Sequence, residues 1–462
     1  MREKPILLVN PYICDFAAYD LWLYPLGLDF LAYLLRGQGF GVVCLDVLRT
    51  GRQHWRYYQP QAGGRGKFYR RPIAAPAALH MVRNRHFALY GQPEAVVLRR
   101  LKPWPEVSLI LITSLMSYWY PGVLHTIGLL RRAYPTTPIL IGGMWPLQYP
   151  DHARRIVSAM ANVDVETDLS FARLRELLAD RLGGSLPQGD VFSWFLRYSL
   201  QGPPACVNFL PVITSLGCPY SCRFCLTPIM YGNNFIRRDT DKVITDILTR
   251  CSMDKQTNIT FFDDALLVDK DRRFKPLLRA LIASGKPLAC HLPNGLHVAL
   301  LDGETVGLMK QAGFQTIRLS AEGFDAATMA LSGNKVKQDD LELALELFAA
   351  HGVAKHNLGI YVLFGLPGQD FAAQRELALS LTHRGYKVGL SELSPIPGTP
   401  VFRQLCRQYP ELAREPLYSN NSLFINLFTN QGEKFYTLKK ELRAIRSKTK
   451  RGAQYGYQIP QA

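Results

Sequence analysis

The chain has 462 residues, of which 48% are hydrophobic and 20% charged, proportions that exclude a disordered, collagen-like or small disulfide-scaffold protein and allow two to four domains. Lys plus Arg number 54 against 37 Asp plus Glu, a formal charge of +17, and two stretches hold all of the excess. Arg49–Lys102 carries twelve basic residues against one acid, Glu94, and Gly432–Arg451 carries eight against two, so two local patches need explaining rather than a basic surface.

From the N-terminus, Arg2 and Lys4 precede only the short apolar run Ile6–Val9 before Asn10-Pro11. That is no targeting peptide, and a cytoplasmic location is the expectation. Ile6–Val9 reads as a buried strand, Leu26–Leu35 as an amphipathic helix stopped at Gly37 and Gly39, and Val42–Leu45 as a second strand. After a basic insertion, 49–102, come a strand at Leu109–Thr113, a helix around Val123–Arg132 and a strand at Ile139–Ile141, with Gly142-Gly143 as the turn. Val107–Leu130 carries no formal charge. Its Ser, Thr and Pro121-Gly122 interruptions make it a strand, a loop and a helix start, not a membrane span. The expectation is an α/β chain whose residues 1–165 form a doubly wound, Rossmann-like domain with its ligand crevice at the C-terminal strand ends. Residues 166–205 form a connector. From 206 to 400, strands are expected at Pro211–Ser215, Asn258–Phe262, Leu288–Leu292, Thr316–Ala321, Ile360–Phe364 and Val388–Leu393. With helices such as Glu304–Ala312 and Asp340–Ala350 between them, they suggest a partial (β/α)6 TIM-like barrel. Residues 401–462 form a short helical, basic tail.

Nine cysteines are scattered along the chain, apart from one cluster, Cys218-Pro-Tyr-Ser-Cys222-Arg-Phe-Cys225. In a chain without an export signal such thiols point to metal or redox chemistry. Three thiolates on one loop can each hold one iron of a four-iron cluster, leaving the fourth iron open to a small molecule. The alternatives are a zinc site, which as a structural site needs four protein ligands, and free cysteines.

This loop resembles the signature of the radical S-adenosylmethionine (SAM) superfamily, with Phe224 as the aromatic before the last cysteine. The resemblance implies a 4Fe-4S cluster on Cys218, Cys222 and Cys225. Its open iron is chelated by the amino and carboxylate groups of SAM, which one electron cleaves to methionine and a 5′-deoxyadenosyl radical. The protein orients the reactants and excludes water. The likeness covers the whole barrel. Phe261-Phe262-Asp263-Asp264 sits where the family meets the SAM ammonium, and pleating suggests that only one of the two carboxylates faces the interior. The other reading of this pair is a helix cap before Arg272–Ala283. Ser320-Ala321-Glu322-Gly323 resembles a segment contacting the SAM ribose or carboxylate. Phe364-Gly365-Leu366-Pro367-Gly368 resembles one that packs against adenine, and Gln369 carries no role because relatives often have Glu there. Ser394–Pro400, with Pro397, resembles the sixth-strand segment. His291, Asn294 and His297 follow the third strand and could face substrate, although a structural histidine is the simpler reading of either one.

The N-terminal half resembles the cobalamin-binding domain that precedes many such barrels, on Tyr24–Ala32, Ser114-Leu-Met116 and Gly142-Gly143. The Asp-x-His-x-x-Gly motif that gives cobalt an axial histidine is absent; Tyr12-Ile-Cys14-Asp15-Phe16 stands there. Cobalamin contacts are implied at Ser114, Gly142 and Gly143, and a relic fold without the cofactor is the alternative. The implied function is radical SAM chemistry with cobalamin-dependent methylation of an unactivated carbon. The alternatives are rearrangement or oxidation without cobalamin, tRNA methylthiolation, and a non-catalytic Fe-S or cobalamin-binding protein. Implied partners are a small-molecule or lipid substrate and an electron donor such as a flavodoxin or ferredoxin. The insertion mixes Trp55, Tyr57, Tyr58, Phe68, Tyr69, Phe87 and Tyr90 with arginines including Arg52. It could bind nucleic acid, which is not the favoured reading, or an anionic lipid surface or phosphorylated metabolite, or form a solvated cover. Ser117–Pro121 could cap a ligand or fill core.

Overall fold

Runs of apolar residues without alternation make strands covered on both faces. Ile6–Asn10 and Leu109–Ile112 are such runs, buried at every position. The structure, a computed structural model, describes residues 4–49, 56–82, 85–168, 195–198, 207–253 and 257–455, and positions 173, 176, 179 and 180. Most of the expected connector 166–205 lies outside the described residues, as do Arg52 and Trp55. The chain divides into two compact units, one made of 1–214, 236–260 and 410–419, the other of 215–235, 261–409 and 420–462.

In the first unit five parallel strands lie in the order Val163–Val165, Ile139–Ile141, Leu109–Ile112, Ile6–Asn10, Val42–Asp46. The direction of winding reverses between Ile6–Asn10 and Leu109–Ile112, the doubly wound arrangement expected. The edge strand Val163–Val165 has no counterpart in the sequence reading, because three residues are too few for a periodic signal. The helix Leu26–Gly37 packs Leu28, Ala32, Leu34 and Leu35 against Ile6, Leu8, Leu109 and Leu111. Leu210–Val212 and Asn258–Phe261 are neighbouring strands.

The basic insertion has its own framework. Ile13–Asp15, Ala88–Tyr90 and Arg70–Pro72 form a three-stranded antiparallel sheet, and Tyr58–Pro60 pairs with Gly66–Phe68. Tyr58, Phe68, Phe87 and Tyr90 are buried, and all but Phe87 belong to a small core with Ile13 and Leu48. Aromatic rings that stack on bases need open faces; these rings are turned inward, which favours the cover over the nucleic-acid reading. Beneath them Arg49 is wholly buried. It donates to Asp20 at 2.6 and 2.8 Å and to Asp46 at 3.1 Å, while the Tyr58 hydroxyl donates to Asp20 at 2.5 Å. Ser117–Pro121 fills core: Tyr118 and Tyr120 are buried, Tyr120 stacks on Trp145 at 5.2 Å, and the Trp119 indole donates to Asp15 at 2.7 Å.

The second unit holds the parallel strands Ala289–His291, Phe314–Glu322, Leu358–Phe364 and Lys387–Glu392, in that order, with Leu296–His297 also on Phe314–Glu322. Two of the helices between these strands start on carboxylate caps. Asp302 accepts from the Thr305 amide before Gly303–Gln311, and Asp370 accepts from the Ala372 and Ala373 amides before Phe371–His383. The tail continues as a helix, Gly432–Tyr455. Among the described residues no helix is long and apolar enough to cross a membrane.

Candidate active site

The cysteine loop leaves the short strand Ser215–Gly217. Gly217 has φ +81°, and a Cβ there would lie 2.2 Å from the Asn234 carbonyl oxygen. Only glycine makes that exit. The loop is pinned along its length. The Arg223 amide donates to the Leu331 carbonyl at 2.8 Å, the Val401 amide donates to the Arg223 carbonyl at 3.1 Å, and the Cys225 amide donates to the Cys222 carbonyl at 3.1 Å. The Cys222 thiol lies 3.5 Å from the Ser332 carbonyl. Cys222 is buried, while Cys218, Phe224 and Cys225 are half-buried. Burial pushes the Cys218 and Cys222 thiols up, against the nearby Lys335 ammonium.

Cys218 opens onto a cavity of about 50 Å³ whose wall also includes Asp263, Asp264, Asn294, Ser320, Tyr220, His297 and Lys335. Both residues of the pair border it. The strand ends at Phe261, so the pair sits in a turn where strand alternation no longer applies. The two differ in partners instead. Asp263 accepts from the Ser215 hydroxyl at 2.5 Å and from the Arg273 guanidinium at 3.3 Å, so its charge is met within the protein. Asp264 accepts from the Gly217 amide at 3.2 Å. Burial raises its pKa, partly offset by that amide. The helix-cap reading fails for both, because the helix begins at Phe274, after Arg273.

The histidine and asparagine candidates separate cleanly. His291 is buried, with Nδ1 at 3.1 Å from the Thr316 hydroxyl. Asn294 donates to the Phe262 and Asp263 carbonyls at 3.1 and 3.2 Å, so it shapes the carboxylate turn. His297 rests on the Tyr220 ring at 4.5 Å between centroids, and both of its ring nitrogens are buried with no hydrogen-bond partner among the described residues. Burial first, then Lys335, lowers its pKa to about 4.

Glu322 ends its strand at φ +56°, with a register shift between Ser320 and Glu322. Backbone strain of this kind collects at functional positions. Its carboxylate lies 3.4 Å from the Lys335 ammonium. Lys335 is a residue that sequence reasoning missed. Gly333 and Asn334, at φ +72° and +53°, end the helix Ala326–Ser332 in two left-handed steps, and Lys335 follows directly. That helix stop with a trailing lysine was the available signal. Burial works against its charge, but Glu322 and the thiols of Cys222 and Cys225 outweigh it and hold the ammonium above the ordinary lysine range.

Gly365, Pro367 and Pro397 are not part of the cavity wall. A Cβ at Gly365, where φ is +96°, would lie 2.9 Å from Ile425 Cγ1, so that glycine answers to packing within the protein. Its amide donates to Gln369 Oε1 at 2.9 Å, and Gln369 Nε2 donates to the Leu363 carbonyl and the Thr328 hydroxyl at 2.9 and 2.8 Å. Gln369 thus holds the loop, a role not assigned from sequence.

In the first unit, Gly143 has φ +90° and a Cβ there would lie 2.5 Å from the Ser114 carbonyl oxygen. The Ser114 hydroxyl accepts from the Trp145 amide at 3.2 Å and donates to the Met116 carbonyl at 3.2 Å. Ser114 and Gly143 therefore fit each other. Gly142 differs: a Cβ there would meet nothing within 4 Å, leaving open space at a C-terminal strand end. Where the axial histidine motif is absent, Ile13–Asp15 is a strand paired with Ala88–Tyr90 of the insertion.

Residues 212–378, which contain the thiol loop, match the Radical SAM superfamily. The chain is 20% identical over 292 residues to a bacteriochlorophyllide d C-12(1)-methyltransferase of Chlorobaculum tepidum, covering 58% of this chain and 59% of that one. It is 23% identical over 483 residues to a cytidylyl-2-hydroxyethylphosphonate methyltransferase of Streptomyces wedmorensis, covering 90% and 84%. Among solved structures it resembles the radical SAM methyltransferase TsrM of Kitasatospora setae with cobalamin and a [4Fe-4S] cluster bound. The TM-score is 0.58 at 16% identity, covering 88% of this chain and 78% of that one.

Proposed function

We propose that this enzyme is a cobalamin-dependent radical SAM methyltransferase acting on an unactivated carbon of a small-molecule or lipid substrate. The observation that carries the reading is the cavity beside the cysteine loop, where one thiol, a carboxylate, an ammonium and a partnerless imidazole share a wall. Cys218, Cys222 and Cys225 would hold the 4Fe-4S cluster, since soft thiolates on a pinned loop suit iron–sulfur ligation. When bound, the cluster supplies the electron that cleaves SAM to methionine and a 5′-deoxyadenosyl radical, and cobalamin supplies the methyl carrier.

This chain's residues then divide the work of holding SAM. Asp264, which among the described residues has no cationic side chain against it as Asp263 has, would meet the SAM ammonium. Lys335, itself held by Glu322, would meet the SAM carboxylate. Phe224 and Pro397 would border SAM, and the backbone around Gly365 and Pro367 would border its adenine. Ser114, Gly142 and Gly143 would take the cobalamin tail, with Gly142 leaving it room. The methyltransferase names of the relatives and the cobalamin in TsrM support the choice of methyl transfer over rearrangement.

The test is anaerobic purification with cobalamin supplied, followed by turnover with SAM carrying a deuterated methyl group. Corrin absorbance in the purified protein and deuterated methyl on carbon of a product are expected. A full iron–sulfur cluster with no corrin uptake would remove methyl transfer and leave the radical chemistry.

A further inference from the structure

The helix Ala326–Ser332 stops against the cysteine loop. Its Leu331 carbonyl accepts from the Arg223 amide at 2.8 Å, and its Ser332 carbonyl lies 3.5 Å from the Cys222 thiol. Carbonyls at a helix C-terminus carry partial negative charge. Glu322 and Asp264 add carboxylates that the Cys222 and Cys218 thiols respectively feel. The reduced state of an iron–sulfur cluster is the more negative one, so negative charge gathered around its ligands lowers its reduction potential. Burial strengthens that effect.

Against these charges the same stretch of chain sets an ammonium. Gly333 and Asn334 end the helix in left-handed steps, and Lys335, next in the chain, shares the cavity wall with Cys218. Its charge reaches all three thiols. The side chain is only 16% exposed, and its ammonium lies 3.4 Å from Glu322. That ion pair is long beside the about 2.7–2.9 Å of a strong charge-assisted hydrogen bond, so the ammonium keeps attraction to spare for the loop. Arg223, the cation within the loop itself, is exposed, and solvent screens it. Lys335 is the cation placed to act on the ligands at low dielectric.

We propose that Lys335 sets the reduction potential of the cluster held by Cys218, Cys222 and Cys225, its ammonium raising the potential against the helix end, Glu322 and Asp264; this rests on the radical SAM reading above. The role is separate from holding the SAM carboxylate, because it operates before SAM is bound. Reduction adds one electron to the cluster and forms or breaks no bond to the protein. Glu322 works in the opposite sense to Lys335, so the pair predicts shifts of opposite sign.

The test uses the full-length, anaerobically reconstituted protein without SAM, as wild type and as Lys335→Met, Lys335→Arg and Glu322→Gln. Iron and sulfide are measured first. Each sample is then titrated with dithionite through mediator dyes while electron paramagnetic resonance records the reduced cluster; dithionite supplies the electron and is itself oxidised. Lys335→Met is expected to disfavour reduction about tenfold, a shift of about 59 mV to lower potential for a one-electron couple. Lys335→Arg keeps the charge and should stay within about twofold of wild type. Glu322→Gln removes an opposing charge and should favour reduction about threefold or more. Equal potentials in wild type and Lys335→Met, or a shift in Lys335→Arg as large as in Lys335→Met, overturns the proposal. If Lys335→Met takes up no cluster, Glu322→Gln must still raise the potential, and an unchanged or lowered value there overturns it too. A wild type that takes up no iron and sulfide would sink the radical SAM reading and this proposal together, whereas a full cluster with unshifted potentials sinks the proposal alone.

Discussion

Two buried cations, one in each unit, show how a closed polar network differs from an open one. Arg49 is wholly buried, and its guanidinium is spent on Asp20, Asp46 and the Leu23 carbonyl. Lys335 is also largely buried, but it has Glu322 at 3.4 Å on one side and the cavity on the other, near an imidazole with no partner. Buried polar groups in folded proteins are almost always satisfied. The closed network therefore reads as a structural clamp on the insertion, and the open one as a site that a ligand completes. Their unlike satisfaction makes the contrast testable.

The largest effect is expected at the open site's metal end. Cys222→Ala should abolish 5′-deoxyadenosine formation and most iron binding in anaerobic reconstitution, while denaturant unfolding of the metal-free protein changes little. Arg49→Met should do the reverse. Leaving Asp20 and Asp46 buried without their cation should cost about 3–5 kcal/mol by chemical denaturation, and a loss below about 1 kcal/mol would remove the clamp reading.

Between these regions the sequence was unevenly informative. The cysteine loop was legible because its ligands lie within eight consecutive positions, and the strands because their apolar runs are long enough to carry a period. Arg49 was hidden because its partner Asp20 is distant in the chain, so its charge counted only toward a basic patch. The insertion's small sheets were hidden because three-residue strands carry no periodic signal. Lys335 and His297 reach the site from separate crossovers, and nothing local in the chain announces that they meet. Asp263 and Asp264 were legible as a pair, but their separation into a clamped and an open carboxylate depends on Arg273 and Gly217.

A smaller effect is expected at Lys335. Lys335→Met should weaken SAM binding about 10-fold to 100-fold by removing a charged hydrogen bond, seen calorimetrically, with the cluster retained. Unchanged affinity would move the SAM carboxylate elsewhere. The smallest effect concerns His297, whose pKa falls from 6.5 to about 4 on folding. The folded state binds its proton less tightly than the unfolded chain, so its contribution to stability is present above pH 6.5 and is lost as pH drops through about 4. His297→Gln should flatten that part of the stability profile in thermal melts of the ligand-free protein between those values. An unchanged acid slope would show that His297 is not the group responsible.

The central claim is that three thiols hold an iron–sulfur cluster with one iron left for SAM. Anaerobic iron and sulfide analysis joined to electron paramagnetic resonance of the reduced protein, with and without SAM, tests it most directly. The account predicts about four irons and four sulfides per chain and a signal that changes when SAM is added. Zinc in place of iron, or a cluster signal indifferent to SAM, would contradict it.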